Sequence, residues 1–350
     1  MKKLSENYYN SAFSHIYVEK AVREHPRTMQ ILAGFPKAQI IEIDHYKDMF
    51  CRRGQDYGKQ HQAQSLILAA KQGKLLYEGA PVCQSFGNPY FYYTSCMMNC
   101  IYDCEYCYLK GMYPSGNLVV FVNLEDIFDE IEKVLREHDV YVCVSYDTDL
   151  MAFEGVTGYT EAWVQFAERC GRKNGVGKNN LTLEIRTKSA NYSFFQTVQP
   201  SSHVVYAFTL SPQEVIDDYE HHTPSLKQRL AAAAEALSRG FLVRLCFDPM
   251  IYCTGWQQCY GRMLEQVLEQ IDVKKLLDVS VGSFRVSQDY LKKMRKNAPE
   301  SAVVQFPYEN DKGVYHYPKE LTTQMESYLL KCLKEYLPEE KIFLWEKEEN

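Results

Sequence analysis

The sequence predicts an α/β fold in which a parallel sheet is covered by helices. About six strand-helix units alternate between residues 88 and 298, and most of the strands are continuously apolar, as in sheets buried on both faces. The length of 350 residues allows one large α/β domain or two smaller units. A partial barrel and an open doubly wound sheet both satisfy this pattern. In either fold the active site lies at the carboxyl ends of the strands.

The repeating units can be placed along the chain from the period of their apolar residues. Strands are predicted at 88–95, 140–149, 181–189, 202–211, 241–251 and 276–285. Helices are predicted at 124–138, 160–173, 225–240, 256–271 and 287–299, the third of them ending at a glycine, Gly240.

The two ends of the chain differ from this central region. Residues 1–87 are expected to form an N-terminal helical and mixed extension, with a helix at 15–35, a strand at 39–44, and a helix or strand at 61–74. Residues 301–350 are expected to form a β-hairpin, turning at 309–313, and a closing helix at 321–337. The predicted units are therefore 1–87, 88–300 and 301–350.

Composition excludes some functions and favours others. The net charge of −6 means that any nucleic-acid contact must come from a local basic patch. The sequence has no run of about 18 apolar residues, and its lysine-containing start lacks an apolar segment, so a cytoplasmic protein without a membrane span is expected. In a reducing compartment, the twelve cysteines are expected to bind metal or do chemistry rather than form disulfides.

Four cysteines lie within twelve positions, at Cys96, Cys100, Cys104 and Cys107. Only Cys100-x3-Cys104-x2-Cys107 has the spacing that lets three thiolates hold three corners of a [4Fe–4S] cluster. The fourth iron would then be open to another ligand. Structural zinc and simple core cysteines are the alternatives.

The stretch CIYDCEYCY resembles the signature of the radical S-adenosylmethionine superfamily. From about residue 40 to the end, the chain resembles the spore photoproduct lyase family, through DTDL, RTKS, AFTLS, SLKQRLAAAAEALSRGF and FDPMIYCTGW. The resemblance implies a partial (β/α)6 TIM-type barrel of the radical S-adenosylmethionine kind. It also implies a [4Fe–4S] cluster, S-adenosylmethionine, and an external electron donor such as flavodoxin or ferredoxin.

The resemblance further implies an activity. The family repairs 5-thyminyl-5,6-dihydrothymine, a methylene-bridged thymine dimer in DNA, through a 5′-deoxyadenosyl radical, which makes it a carbon–carbon lyase. The cofactors supply the chemistry, while the protein orients them and excludes water. The alternatives are the same chemistry on a peptide, tRNA or small metabolite, and a non-enzymatic metal-cluster protein associated with DNA.

Individual residues take roles by the same resemblance. Tyr106 and Tyr108 occupy the positions beside the last cysteine, where an aromatic residue contacts the adenine of S-adenosylmethionine. The other expected cofactor contacts are Thr148, Asp149, Lys188 and Thr209, at the ends of three strands. A helix cap is the alternative for either threonine.

Lys188 is expected to pair with the carboxylate of S-adenosylmethionine. Arg285 is expected to reach a phosphate or carboxylate of the substrate, and an exposed arginine is the alternative.

The family's hydrogen-donating cysteine is replaced by Tyr146 in this sequence. Cys143 is near, but strand alternation would turn its side chain away from the face that carries residue 146. Cys83, before the first barrel strand, is therefore the preferred donor, and a buried inert Cys83 is the alternative. Because a tyrosine O–H holds its hydrogen more firmly than a thiol, Tyr146 is expected to relay a radical.

The C-terminal hairpin also departs from the family. Glu309 and Asn310 stand where an arginine and an aromatic residue are expected, so Lys312 and Tyr315, with Tyr308 and Tyr317, remain as candidate substrate contacts. A basic patch for DNA could come from Arg52, Arg53, Lys59, Lys110, Lys292, Lys293, Arg295 and Lys296. A solvated charged face is the alternative. Cys96 is expected to be a bystander, with a substitute cluster ligand as the alternative.

Overall fold

The computed structural model describes residues 13–80, 83–172 and 179–345. The strands, in chain order, are β1 (His15–Glu19), β2 (Gln39–Ile43), β3 (Leu66–Ala69), β4 (Tyr77–Glu78), β5 (Phe91–Tyr93), β6 (Met97–Met98), β7 (Asp103–Cys104), β8 (Leu118–Phe121), β9 (Val140–Cys143), β10 (Leu181–Thr187), β11 (Val204–Thr209), β12 (Glu220–His221), β13 (Leu242–Met250), β14 (Asp278–Ser283), β15 (Arg285–Ser287), β16 (Glu309–Asp311), β17 (Val314–His316) and β18 (Ile342–Leu344).

The helices connect and cover these strands. In chain order they are α1 (Pro26–Ala33), α2 (Lys47–Phe50), α3 (Tyr57–Gln62), α4 (Leu109–Met112), α5 (Leu124–Leu135), α6 (Glu154–Thr157), α7 (Tyr159–Arg172), α8 (Tyr192–Thr197), α9 (Gln213–Tyr219), α10 (Leu226–Ser238), α11 (Trp256–Gln270), α12 (Gln288–Asn297), α13 (Ala302–Gln305) and α14 (Lys319–Leu333). No helix in the described part of the chain is long and apolar enough to cross a membrane.

The larger sheet is the predicted partial barrel. Its strand order is β18-β14-β13-β11-β10-β9-β5-β4, and every neighbouring pair is parallel except β4 and β5. All residues of β11 and β14 are buried, as expected for strands of a parallel sheet that is covered on both faces. The six predicted barrel strands are confirmed, and β18 adds a seventh parallel strand that the sequence reasoning did not find.

A second sheet of five strands has the order β2-β1-β3-β8-β6. The prediction of one helix over 15–35 is wrong, because the first part of that segment is β1, which is flanked by β2 and β3. Helix α1 begins only at Pro26, where the fixed φ of proline suits the first helical turn and the ring of His25 accepts a hydrogen bond from the Arg27 amide. The open choice at 61–74 is resolved as strand β3.

The C-terminal hairpin is formed by β16 and β17. The predicted strand at 276–285 divides into β14 and β15, and β15 pairs with β17, so the hairpin is joined to the end of the barrel. The apolar run SAVVQ, expected to be the start of a β-rich segment, is instead the short helix α13, capped by the Ser301 side chain. The closing helix is α14. The division of the chain at residues 87 and 300 stays a prediction.

Candidate active site

A cavity of about 300 Å³ lies at the carboxyl ends of the parallel strands. Its wall includes residues at or just beyond the ends of β9, β10, β11, β13 and β14. Most of the predicted site residues are among them: Cys83, Cys100, Cys104, Tyr106, Cys107, Tyr108, Tyr146, Thr148, Asp149, Lys188, Thr209 and Arg285. Tertiary structure therefore brings together residues that are separated by about 200 positions in the sequence, such as Cys83 and Arg285.

The loop that carries the three cysteines is held from several directions. Strand β7 within this loop pairs with β12. The carbonyl of Cys100 lies 3.1 Å from Nε2 of His61 and accepts a hydrogen bond of 3.1 Å from Gln64. Asp103 forms an ion pair of 2.6 Å with Lys110, seven residues further along the chain on α4. These contacts fix the direction of the loop. They are made by backbone atoms and by the Asp103 side chain, not by the three sulfur atoms.

The three thiols fit an iron–sulfur cluster. Burial raises the pKa of Cys104 to about 12 and also raises the pKa values of Cys100 and Cys107. Thiolates in this cavity consequently need strong positive charge, which iron supplies. Among the described residues, no three His, Cys, Asp or Glu side chains gather closely enough for one metal ion. The reason to expect a cluster rather than a single zinc ion is the Cys100-x3-Cys104-x2-Cys107 spacing in the sequence.

Cys96 lies apart from the other three cysteines. It is fully buried, and its sulfur lies 3.7 Å from the carbonyl of Val144 rather than in the cavity wall. This position agrees with the expectation of a bystander and gives no support to a substitute ligand.

The ammonium group of Lys188 belongs to the cysteine end of the cavity. Its Nζ lies 5.3 Å from the ring centroid of Tyr106. Burial works against its charge, but Cys104 and Glu220 outweigh that effect and the pKa of Lys188 is raised. The side chain is therefore charged at neutral pH and is suited to bind a carboxylate.

Sequence reasoning missed the partners of Tyr106. Its hydroxyl donates to Glu220, which also accepts from Ser211 at 2.7 Å and from the buried guanidinium of Arg229. Arg229 continues to the carbonyl of Thr209, at 3.2 Å. This network fixes Tyr106 beside the cysteines. The sequence did contain an indication of this network, because Arg229 lies on the same helical face as Leu226 and Ala233 in the helix predicted at 225–240.

Asp149, beyond the end of the second barrel strand, accepts three hydrogen bonds from the protein itself. Asp149 accepts 2.7 Å bonds from the Thr187 hydroxyl and the Lys188 amide, and a 3.0 Å bond from the Ala152 amide. Its carboxylate thus joins the end of β9 to the end of β10. Thr148 lines the same cavity, and the roles of both residues toward S-adenosylmethionine stay predictions.

Cys83 and Tyr146 are neighbours in the cavity wall. The thiol of Cys83 donates to the phenolic oxygen of Tyr146 at 3.7 Å, and the Tyr146 ring is stacked on Tyr93 with centroids 4.1 Å apart. The Tyr108 hydroxyl donates to the backbone carbonyl of Tyr146. Cys143 also lines the cavity, so the prediction that its side chain faces away from residue 146 is wrong. The reason is that β9 ends at Cys143, and strand alternation does not continue from there to Tyr146.

Arg285 is neither exposed nor free of partners. Its guanidinium forms two bonds to Asp248, of 2.9 and 3.2 Å, and lies 4.3 Å from the ring centroid of Trp345. Lys312 and Tyr315 lie on the hairpin and are not part of the cavity wall. The hairpin is joined to the cavity wall by the pairing of β17 with β15, whose first residue is Arg285.

The proposed basic patch divides into bound and exposed groups. Arg295 donates to the carbonyls of Val304 and Phe306, at 3.1 and 2.8 Å, so its guanidinium anchors the chain before the hairpin. Lys110 is held by Asp103. The exposed members are Arg52, Arg53, Lys59, Lys292, Lys293 and Lys296. The last three lie on α12, the helix whose Tyr290 lines the cavity.

Comparison with known proteins shows which family the sequence matches. Residues 15–345 match the family described as spore photoproduct lyase. The spore photoproduct lyase of Clostridium acetobutylicum is 22% identical over 343 residues, covering 93% of this chain and 96% of that protein. The protein of the same name from Bacillus subtilis is 21% identical over 295 residues, covering 82% of each chain.

Solved structures show the same fold. A spore photoproduct lyase mutant with bound AdoMet and dinucleoside spore photoproduct matches with a TM-score of 0.77 and 18% identity, covering 96% of this chain and 99% of that one. A spore photoproduct lyase complexed with dinucleoside spore photoproduct gives a TM-score of 0.77 and 17% identity, covering 96% and 99%.

Proposed function

The chain belongs to the spore photoproduct lyase family, and from this premise we propose that it repairs 5-thyminyl-5,6-dihydrothymine in DNA as a radical S-adenosylmethionine enzyme and carbon–carbon lyase. One observation carries the proposal. The three cysteines, the ammonium of Lys188 and the Cys83–Tyr146 pair all line a single cavity at the carboxyl ends of the barrel strands. The family supplies the reaction, and the cavity contains side chains suited to each of its parts.

The cofactor end of the cavity is defined by charge. Cys100, Cys104 and Cys107 would hold the [4Fe–4S] cluster, and Lys188 would pair with the carboxylate of S-adenosylmethionine. Thr148 and Thr209 would offer hydroxyl groups to its polar atoms. When bound, the two cofactors together supply the 5′-deoxyadenosyl radical that takes a hydrogen atom from the lesion. An external donor such as flavodoxin or ferredoxin would reduce the cluster.

The thiol of Cys83 would complete the repair. Burial raises its pKa, so at neutral pH the sulfur keeps the hydrogen that a donor must deliver. Once the methylene bridge has broken, the S–H bond breaks and a C–H bond forms on the thymine methylene radical, which leaves a sulfur radical on Cys83. Tyr146, whose oxygen lies 3.7 Å from that sulfur, would relay the radical. Its O–H bond breaks as the S–H bond of Cys83 forms again, the radical moves to the Tyr146 oxygen, and the 5′-deoxyadenosine formed in the first step returns a hydrogen atom to that oxygen.

DNA would approach over the exposed lysines of α12. Lys292, Lys293 and Lys296 can contact phosphates near the cavity, without requiring a basic surface elsewhere on a chain of net charge −6.

A second candidate function follows from the hairpin. Strand β16 consists of three exposed residues, Glu309, Asn310 and Asp311, and its two carboxylates do not suit a phosphate backbone. This favours, as the alternative, the same radical chemistry on a less anionic substrate, such as a peptide or small metabolite.

The test is a repair assay with anaerobically reconstituted protein, dithionite, S-adenosylmethionine and the dinucleoside lesion. Restored thymidine, detected by mass spectrometry, supports the lyase. The same assay with lesion-containing duplex DNA tests the contribution of α12. Formation of 5′-deoxyadenosine without thymidine from either substrate would instead favour the second candidate. Absence of both products, in protein containing about four irons per chain, would contradict radical S-adenosylmethionine chemistry.

A further inference from the structure

We propose that Arg186 is a substrate-binding residue, which donates hydrogen bonds to a ring carbonyl of the pyrimidine lesion in the half of the cavity that contains Cys83. The inference rests on the proposed function and adds the group that would orient the lesion.

The guanidinium of Arg186 has bonding capacity that the protein does not use. The residue lines the cavity from β10, two positions before Lys188. Although 32% of its side-chain surface is accessible, its Nε atom is buried and has no hydrogen-bond acceptor among the described residues. Glu184 lies 3.6 Å from this atom, too far for a good hydrogen bond. Within the described part of the chain, the hydrogen bond of Nη2 goes to the sulfur of Cys246, a weak acceptor, at 3.5 Å.

The surrounding structure holds Arg186 in this state. Its backbone amide donates to Ser145 at 2.7 Å, which fixes β10 against the end of β9. Glu184 cannot move toward it freely, because the other oxygen of that carboxylate accepts from Arg244 at 2.6 Å and from the hydroxyl of Tyr141. Because Nε has no accessible surface, a ligand in the cavity would be bound through the accessible part of the guanidinium, whose Nη2 has only a weak acceptor, and an oxygen acceptor placed there gains affinity.

Charge balance indicates the chemical class of that acceptor. Arg186 and Arg285 line this side of the cavity, and the buried Arg244 shares Glu184 with Arg186. Three carboxylates match these three arginines: Arg244 binds Asp278 and Glu184, Arg285 binds Asp248, and Arg186 is attracted to Glu184. A phosphate would add a negative charge to an already neutral group of side chains. A carbonyl oxygen accepts the hydrogen bonds without adding charge, and each pyrimidine ring of the lesion carries two.

The location of Arg186 connects binding with the reaction. Its positive charge acts on Cys83, where it opposes the effect of burial on the pKa of the thiol. Lys188, immediately after the same strand, stands at the cysteine end of the cavity. A carbonyl held by Arg186 would therefore place the lesion between the cofactor end and the Cys83 thiol.

The experiment compares Arg186→Gln with the unchanged protein and with Arg136→Gln, which removes an exposed arginine at the end of α5. Each protein is reconstituted with iron and sulfide, saturated with S-adenosylmethionine without reductant, and titrated with the dinucleoside lesion, which has no phosphate. We expect Arg186→Gln to raise the Kd of the lesion at least about tenfold. The iron content and the Kd of S-adenosylmethionine should stay within about twofold of the unchanged protein.

Three outcomes would overturn the inference. The first is an unchanged Kd of the dinucleoside in Arg186→Gln. The second is a loss of affinity confined to a phosphate-containing dinucleotide lesion, which would identify a phosphate contact instead. The third is absence of binding by the unchanged protein, which would reject the proposed function itself.

If Arg186→Gln does not retain iron, Arg186→Lys provides the same test with the charge near Glu184 preserved. A lysine has no Nε–H and no planar fork, so the inference then requires at least about a fivefold increase in Kd. An unchanged Kd in that variant would also overturn it.

Discussion

The sulfur of Cys83 lies 3.7 Å from the phenolic oxygen of Tyr146, inside the cavity that also holds the three clustered cysteines. The Tyr146 ring is fixed by its stacking on Tyr93. Burial raises the pKa values of both groups, so each keeps its hydrogen at neutral pH. Two groups that can donate a hydrogen atom are thus held side by side. One of them, Tyr146, occupies the position at which the spore photoproduct lyase family has its hydrogen-donating cysteine.

Cys83→Ser should separate repair from cofactor cleavage. An O–H bond yields its hydrogen atom far less readily than an S–H bond, so we expect thymidine formation to fall at least about tenfold. Cleavage of S-adenosylmethionine should continue and give unfinished adducts, which mass spectrometry can detect. Cys332→Ser, on the distant helix α14, controls for loss of a thiol. Normal repair in Cys83→Ser, together with loss in Cys143→Ser, would assign the donor to Cys143.

Tyr146→Phe should affect turnover rather than the first repair event. The variant keeps the ring stacked on Tyr93 but removes the hydroxyl that could restore the Cys83 thiol. We expect a normal single-turnover yield and a several-fold slower steady state, measured by quenched-flow and multiple-turnover assays. Tyr93→Phe is the matched control, since it preserves the stack and does not touch the thiol. A single-turnover loss as large as that of Cys83→Ser would make Tyr146 the direct donor.

The fold was largely predictable where secondary structure leaves a strong local pattern. The barrel strands are apolar runs bounded by amphipathic helices, and all six were placed correctly. The strands that were missed depend on distant partners: β1 pairs with β2 and β3, β8 joins the N-terminal sheet, and β18 pairs with β14. Nothing in the three apolar residues of β18 indicates which sheet they complete.

The site was predictable where the family motif specifies a residue type, and less so elsewhere. Cys100, Cys104, Cys107 and Lys188, at positions that the motifs specify, line the expected cavity. Cys83, which was chosen because Tyr146 replaces the family's cysteine, lines it as well. Arg186 was overlooked, although the charged residues Glu184, Arg186 and Lys188 recur at every second position of the strand predicted at 181–189. Such alternation indicates a polar barrel interior. The direction of Cys143 was wrong because the end of β9 could not be located from sequence.

Cys107→Ala should remove the cluster, while Cys96→Ala should not. Cys107 lines the cavity, and Cys96 is buried against the carbonyl of Val144. After anaerobic reconstitution we expect about four irons per chain in the unchanged protein and in Cys96→Ala, and a large loss in Cys107→Ala. Iron analysis and the visible absorption of the cluster measure this directly. Equal iron loss in both variants would return Cys96 to the set of ligands.

Lys188→Met should weaken S-adenosylmethionine binding. A charge-assisted hydrogen bond to a carboxylate contributes about 1.5–3 kcal/mol, so the Kd should rise roughly 10- to 100-fold. Isothermal titration of the reconstituted protein without reductant gives the value. Lys292→Met, on the exposed face of α12, is the control for loss of a lysine. An unchanged Kd in Lys188→Met, with full iron content, would exclude the proposed carboxylate contact.

The buried Glu220–Arg229 pair should make stability depend on acid pH. Despite burial, Arg229 and Lys188 lower the pKa of Glu220 from 4.5 to about 2. Its stabilisation is therefore complete above about pH 4.5 and is lost as the pH falls toward about 2. At about 1.4 kcal/mol per pH unit, this loss amounts to about 3 kcal/mol.

Glu220→Gln cannot titrate, so urea unfolding of the cluster-free protein between about pH 6 and 3 should show a smaller loss of stability in that variant. Asp129→Asn, on the exposed face of α5, controls for loss of a carboxylate. Parallel losses in the unchanged protein and Glu220→Gln would show that Glu220 is not the group responsible.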